Sequence, residues 1–179
     1  TNHMAEIDAI AERADSPTLE NTIIAMEKSG ALLDRVATVF FALISANTND
    51  EMEKIRSEMA PKLSAHSDQI LLNGKLFHRV KTIYEQRDQL GLDAESKRLV
   101  EKYYTDFIRS GANLSNEEKE SLKKINGEMA VLQTTFSQNV LKEVNALAVV
   151  VDFKNELDGL SDAAIEAAAN ETKSRELEG

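Results

Sequence analysis

Apolar side chains recur every three or four residues along most of this chain, which is the spacing of one face of an α-helix and not of a strand. One series runs at alternating three- and four-residue steps: Leu122, Ile125, Met129, Leu132, Phe136 and Val140. The series are separated by residues that end helices, among them Asp15-Ser16-Pro17, Ser29-Gly30, Asn73-Gly74 and Gly111. With only two prolines and 5% aromatic residues, the sequence predicts an all-α fold, a bundle of about seven helices.

Particular residues predict where these helices begin and which are buried. Thr48 and Glu51 have the spacing of a capping box, as have Ser115 and Glu118. The second box opens the longest helix, expected to reach about Asn145. The segment from residue 32 to residue 44 is apolar on most faces, so it is expected to lie at the centre of the bundle.

The end of the chain departs from this pattern. Residues 147–151 are short and rich in valine, which predicts one strand that needs a partner. Ser161 then caps a last, alanine-rich helix expected to reach about Glu176. Residues 1–4 are interpreted as a cloning remnant, so His3 is set aside, and residues 5–179 are predicted to form a single helical domain.

Charge and composition restrict the partners. The formal net charge of -10 is the wrong sign for gripping a nucleic acid or an anionic membrane. The longest apolar run, residues 36–46, is far short of the ~20 residues that cross a bilayer. The absence of cysteine excludes disulfides, thiolate zinc sites and a cysteine nucleophile. A cytoplasmic location is the simplest prediction.

Histidine is the residue that a zinc peptidase site needs in pairs, four residues apart with a glutamate beside the first. His66 and His78 are twelve residues apart on different predicted helices, without an acidic residue three positions earlier. A structural or surface role is therefore predicted for both. No catalytic, cofactor-binding or metal-binding residue is predicted in this chain.

Other candidates have ordinary structural interpretations. Glu117, Glu118 and Glu120 lie beside lysines in the first turns of a helix, where negative charge suits the helix dipole. The pairs Phe40-Phe41 and Tyr103-Tyr104 continue apolar stripes, which favours core packing. A tyrosine hydroxyl of the second pair could instead face a peptide-binding cleft.

Several strings of the sequence together resemble the N-terminal region of the thimet-oligopeptidase-like zinc metallopeptidases, most of all the bacterial peptidyl-dipeptidase branch. The resemblance runs in order from about Ala5 to the C-terminus. Its strings are Pro17-Thr18-Leu19-Glu20-Asn21-Thr22-Ile23, Leu33-Asp34-Arg35-Val36 followed by Phe40-Phe41, Ser45-Ala46-Asn47-Thr48-Asn49, Met59-Ala60-Pro61-Lys62-Leu63 and Phe136-Ser137-Gln138-Asn139-Val140-Leu141.

This resemblance implies a much larger helical enzyme whose two halves flank a channel for short peptides. Its zinc-binding His-Glu-x-x-His helix would lie downstream of the region seen here, so zinc is expected in the full-length parent and not in this chain. The parent is expected to release dipeptides from peptide C-termini, and this chain alone is expected to be inactive.

The resemblance also implies partners: the C-terminal catalytic portion of the same enzyme and short peptide substrates. The isolated chain could form a homodimer through apolar surface that the missing portion would otherwise cover. The alternative hypothesis is a non-catalytic helical interaction module, supported by the absent active site and the acidic composition.

Overall fold

Helices make up almost all regular structure in the computed structural model, which describes residues 2–147, 149–151 and 153–175. The α-helices are α1 (Asn2–Ala11), α2 (Ala25–Lys28), α3 (Ala31–Ala46), α4 (Asp50–Leu71), α5 (Gly74–Gln86), α6 (Ala94–Arg109), α7 (Asn116–Ala146) and α8 (Asp162–Ser174). A π-helical turn, Leu19–Ile24, leads into α2, and a 3-10 turn, Lys154–Leu157, precedes α8. The all-α prediction is confirmed.

The strand predicted at residues 147–151 is absent from the described part of that segment. Leu147 lies in a turn, residues 149–151 have no regular structure, and Ala148 lies outside the described residues. Valine-rich sequence favours extended backbone, but a strand also needs a neighbouring strand for its backbone hydrogen bonds. The described ranges contain no second strand that could supply them.

Side-chain caps fix the helix starts, and most lie where the sequence predicts them. The Ser115 hydroxyl accepts from the Glu118 N–H at 3.3 Å, while the Glu118 carboxylate accepts from the Ser115 N–H at 2.8 Å. This capping box is confirmed. The capping box predicted at Thr48 is wrong by one residue, because Asn49 is the N-cap and its side chain accepts a hydrogen bond from the Met52 N–H. Thr48 instead donates to the Glu53 carboxylate at 2.9 Å.

The chain divides into two compact units, Thr1–Phe136 and Ser137–Gly179. The first contains α1 to α6 and the greater part of α7, and of the residues that the structure describes it holds all the buried apolar ones of the core. The second contains the end of α7, the 3-10 turn and α8, whose described residues include none that are buried. A single domain over residues 5–179 stays a prediction.

The core of the first unit lies where α5 and α6 pack against each other and against α1 and the π-helical turn. Leu76, Val80 and Ile83 of α5 are fully buried, at the helical spacing that the sequence displays. Phe77 stacks on both Phe107 and Tyr104 of α6, with ring centroids 5.9 Å and 6.0 Å apart. Each such apolar side chain contributes about 1.5–3 kcal/mol when it leaves water.

Helix α3 forms where predicted, but its central position in the bundle is wrong. Ile44 is its only buried residue. Leu33, Ala37, Phe40 and Ile44 follow one another at helical spacing on the more buried side, whereas a neighbouring stripe of apolar residues faces solvent. An apolar helix surface on several sides predicts burial, and this chain supplies packing for only one of those sides.

Candidate functional site

A buried arginine organises the segment between α1 and α2. Arg79 of α5 is only 5% exposed. Its guanidinium donates to the backbone carbonyls of Arg13 and Asp15 at 3.1 Å and 3.0 Å, and to the side chains of Thr22 and Asn21 at 3.2 Å and 2.8 Å. Four oxygens therefore replace the water that the charge loses on burial.

Arg79 was missed by the sequence reasoning. Its one sequence signal is its position three residues after Leu76 and four before Ile83, on the buried stripe of α5. A charged residue at such a position has to be paired or hydrogen-bonded. The partners lie 57 to 66 residues away in sequence, so the pattern alone does not identify them.

The two histidines that the sequence singled out do not come together. His78 is exposed on α5, and His66 is half-buried on α4. His66 Nε2 lies 2.9 Å from Nδ1 of His3, the residue that was set aside, and His3 Nε2 lies 3.2 Å from the Ser29 hydroxyl. Burial lowers the pKa of His66, and the charges of His3 and the N-terminus lower it further.

Metal-binding side chains do not cluster anywhere in the part of the chain that the structure describes. No group of three or more His, Cys, Asp or Glu side chains there could hold a metal ion. The His3–His66 pair has only two nitrogen donors, and they lie at hydrogen-bond distance from each other. These residues do not fit a zinc site, which needs at least three converging protein ligands.

A groove of about 840 Å³ in the first unit follows the start of α3. At one wall of this groove the hydroxyl of Tyr103, in α6, donates a 2.6 Å hydrogen bond to the carboxylate of Glu27, in α2. Burial raises the pKa of Tyr103 well above its ordinary value, and the hydrogen bond to Glu27 adds to the effect. Tyr103 thus stays protonated and joins the two helices at one wall of this groove.

The aromatic pairs divide between core and surface. The Tyr104 ring stacks on Tyr84 with centroids 3.8 Å apart, which confirms core packing for that residue. Tyr103 is half-buried, packs against the core and also lines the groove. Phe40 is half-buried, but its neighbour Phe41 is exposed, so the prediction of core packing is wrong for Phe41.

A second groove, about 490 Å³, lies between α4 and α7. Asp68 at its edge is only 9% exposed and accepts a 2.7 Å hydrogen bond from the Asn126 amide. Nearby, Lys119 at the start of α7 donates to the carbonyl of Leu72 at 3.3 Å. These two contacts fix α7 against α4 through polar groups, whereas the apolar side of α7 is directed to solvent.

Two rows of large apolar side chains are exposed on the first unit. The α3 stripe, exposed by 54–65%, consists of Leu32, Val36, Val39 and Leu43. The α7 stripe, exposed by 46–70%, consists of Ile125, Met129, Leu132 and Phe136. Rows of exposed apolar side chains such as these are typical of surfaces that contact another protein segment.

The accessible surface is also larger than compact proteins of this size present. The chain exposes 12516 Å². Two separate globules of 136 and 43 residues, the sizes of the two units, would together expose about 10,000 Å². The excess of roughly 2,500 Å² is at the upper end of what one partner buries in a large, permanent interface, where both partners together bury about 2,000–5,000 Å².

The sequence is similar to bacterial peptidases over almost its whole length. A dipeptidyl carboxypeptidase of Salmonella typhimurium is 42% identical over 173 residues, which are 97% of this chain and 25% of that protein. The Escherichia coli dipeptidyl carboxypeptidase is 40% identical over 174 residues, 97% of this chain and 26% of that protein. An oligopeptidase A of Haemophilus influenzae is 25% identical over 162 residues, 90% of this chain and 24% of that protein.

These alignments confirm the resemblance to peptidyl-dipeptidases that the ordered strings indicate. No protein-family model matches the chain. The chain spans about a quarter of the length of the curated relatives that it matches.

Proposed function

Because this chain is homologous over 97% of its length to a region of the dipeptidyl carboxypeptidases, we propose that it is the N-terminal helical portion of a peptidase that releases dipeptides from the C-termini of short peptides. The observation that carries the proposal is 42% identity over 173 residues to one such enzyme. With the function we propose a cytoplasmic location and dependence on zinc for the whole enzyme.

The proposed contribution of this portion is to build one wall of the peptide channel. A wall that selects peptides by size has to be rigid, and the buried Arg79 network and the α5–α6 core support this. The groove beside Tyr103 and Glu27 combines apolar side chains, such as Leu33, with polar and charged ones in similar number, and a peptide could contact both kinds.

Zinc chemistry is not assigned to this portion. The described side chains do not fit a zinc site, so the metal ligands of the proposed enzyme would come from another part of the polypeptide. Folding, shape and contacts with the peptide are what the residues of this chain can supply.

A chimera tests the proposal. The region of the Escherichia coli dipeptidyl carboxypeptidase that aligns with this chain would be replaced by residues 5–175 of this chain, and release of dipeptides from a blocked tripeptide would be measured. We expect the chimera to retain activity, because the two regions share 40% identity over 174 residues. The controls are the same enzyme without the region and this chain alone, both expected to be inactive.

A soluble, folded chimera that releases no dipeptide would contradict the proposal. It would favour the alternative of a non-catalytic helical interaction module, to which the exposed apolar stripes on α3 and α7 also correspond. The two hypotheses differ in one measurable respect, since only the first requires that this chain restore peptidase activity.

A further inference from the structure

Both exposed stripes have the spacing that packs against another helix. In the α3 stripe the steps between consecutive apolar residues are four, three and four, and the same steps recur in the α7 stripe. An average step near 3.5 residues keeps a row of side chains in line along a helix, so that each can enter a hole between four side chains of a facing helix. A strand or an irregular loop would not use this spacing.

We propose that the α3 stripe and the α7 stripe each seat an α-helix of the catalytic portion of the same enzyme, packed by knobs into holes. This inference rests on the proposed function and specifies where and how the two portions meet. The occupying helices would carry apolar side chains at the same four-three-four steps, with their axes about 8–10 Å from those of α3 and α7.

The surroundings of the α3 stripe favour a permanently covered surface. Only Asp34 and Arg35 are charged among the 16 residues of α3. Helices that associate reversibly are usually flanked by charged residues that select the partner, whereas permanent interfaces resemble a core cut in half. The excess accessible surface of the chain is large enough for such an interface.

A membrane fits the α3 stripe less well. The segment Leu19–Ala46 has the length and mean hydropathy of a membrane span. Its helix is interrupted, however, because Ser29 is extended and Gly30 has a φ of 71°. Helix α3 alone has 16 residues, about 24 Å, which is less than the ~30 Å of a bilayer core. Ile23 and Met26, before the interruption, belong to the protein core.

Single introduced cysteines test the proposal, since the chain has none of its own. Val39→Cys and Leu132→Cys would report on the two stripes. Ser45→Cys and Thr135→Cys, at exposed positions off the stripes on the same helices, are the matched controls. The rate of maleimide labelling would be measured by peptide mass spectrometry, in the dilute chain and in the chimera with the Escherichia coli enzyme.

We expect all four cysteines to be labelled rapidly in the dilute chain. In the chimera the two stripe cysteines should react at least about tenfold more slowly, because a packed helix interface excludes the reagent. The two controls should keep their rates.

Three results would overturn the proposal: equal labelling of stripe and control cysteines in the chimera, stripe cysteines already protected in the dilute chain by a second copy, or protection that only lipid vesicles provide. Dipeptide release by the same chimera separates the two claims. Protected stripes without activity would refute the proposed function alone, and activity with unprotected stripes would refute the docking mode alone.

Discussion

The guanidinium of Arg79 and the hydroxyl of Thr22 are joined by a buried hydrogen bond of 3.2 Å, which connects α5 to the π-helical turn before α2. The same guanidinium reaches Asn21, whose side chain also caps the turn by accepting from the Thr18 N–H at 2.9 Å. One side chain therefore holds the start of the turn, the preceding loop and the core helix together.

Replacing Arg79 by lysine should destabilise the chain. Lysine keeps the positive charge, but all its donor hydrogens are on one nitrogen atom. It therefore cannot bond both the backbone carbonyls and the side-chain oxygens that the guanidinium reaches. Buried acceptors that lose their donors cost about 1–3 kcal/mol each, and we expect Arg79→Lys to lower the free energy of unfolding by at least about 2 kcal/mol. Urea unfolding would measure this. Arg98→Lys, at a side chain that is 81% exposed, is the control, and equal midpoints for the two variants would contradict the role of Arg79.

The N-cap of α6 should make stability depend on pH. The Asp93 carboxylate accepts from the Ser96 N–H at 2.7 Å, and this hydrogen bond lowers the pKa of Asp93 below its ordinary value of 3.8. Because the folded-state pKa is the lower one, the contribution is fully present above the unfolded value of 3.8 and is lost as the pH falls through the folded value.

Asp93→Asn keeps a capping side chain but removes its titration. We expect this variant to lose less stability than the parent between about pH 5 and about pH 3 in urea unfolding. Asp93→Ala, which removes the cap itself, should be less stable than the parent at about pH 5 already. Identical pH dependence in the parent and in Asp93→Asn would show that this carboxylate does not contribute.

The purified chain should contain no tightly bound zinc. Its described residues lack a group of three metal-binding side chains, and zinc sites in proteins need three or four. Elemental analysis after dialysis should find well under one zinc per chain, and a chelator should leave the melting temperature unchanged. One tight equivalent per chain would contradict this prediction and the interpretation of His66 and His78 as structural or surface residues.

The isolated chain should self-associate as its concentration rises, because the α3 stripe is exposed without its proposed occupant. Val36→Glu combined with Val39→Glu should increase the monomer fraction in sedimentation velocity without changing the helix content. Thr38→Glu combined with Ser45→Glu, at exposed positions on the polar side of α3, should not. A parent chain that stays monomeric at every concentration would contradict the expectation.

The sequence predicted local structure better than it predicted burial. Capping residues such as Ser115 and Ser161 act through neighbours three residues away, so their effect is visible in the sequence. The predicted burial of α3 was wrong because the spacing of apolar residues indicates that a surface will be covered but does not identify the element that covers it. The hydrogen-bond partners of Arg79 could not be predicted from the sequence for a related reason, because these contacts join residues more than 50 positions apart.

The contacts of the candidate site also could not be predicted from the sequence. The strings around Thr18 and Phe136 indicated a resemblance to peptidyl-dipeptidases, and the alignments confirmed this resemblance. The Tyr103–Glu27 hydrogen bond joins residues 76 positions apart, so only the folded chain brings it into one groove. Whether a tyrosine lines a groove depends on how α6 is rotated against α2, which helical spacing in either segment does not determine.

Two glycines in and beside α7 should respond to alanine in opposite directions. Gly111 has a φ of 93°, and a Cβ there would meet side-chain atoms of Leu114 and Leu122 at 2.8 Å. Gly127 lies inside α7, and a Cβ there would meet nothing within 4 Å. We expect Gly111→Ala to cost about 1–3 kcal/mol through backbone strain and Gly127→Ala to add about 0.5–1 kcal/mol by reducing the entropy of the unfolded chain. Urea midpoints of the two variants should therefore lie on opposite sides of the parent midpoint.

If Gly127→Ala were as destabilising as Gly111→Ala, the side of α7 at Gly127 would have to be tightly packed, in conflict with the open space found there.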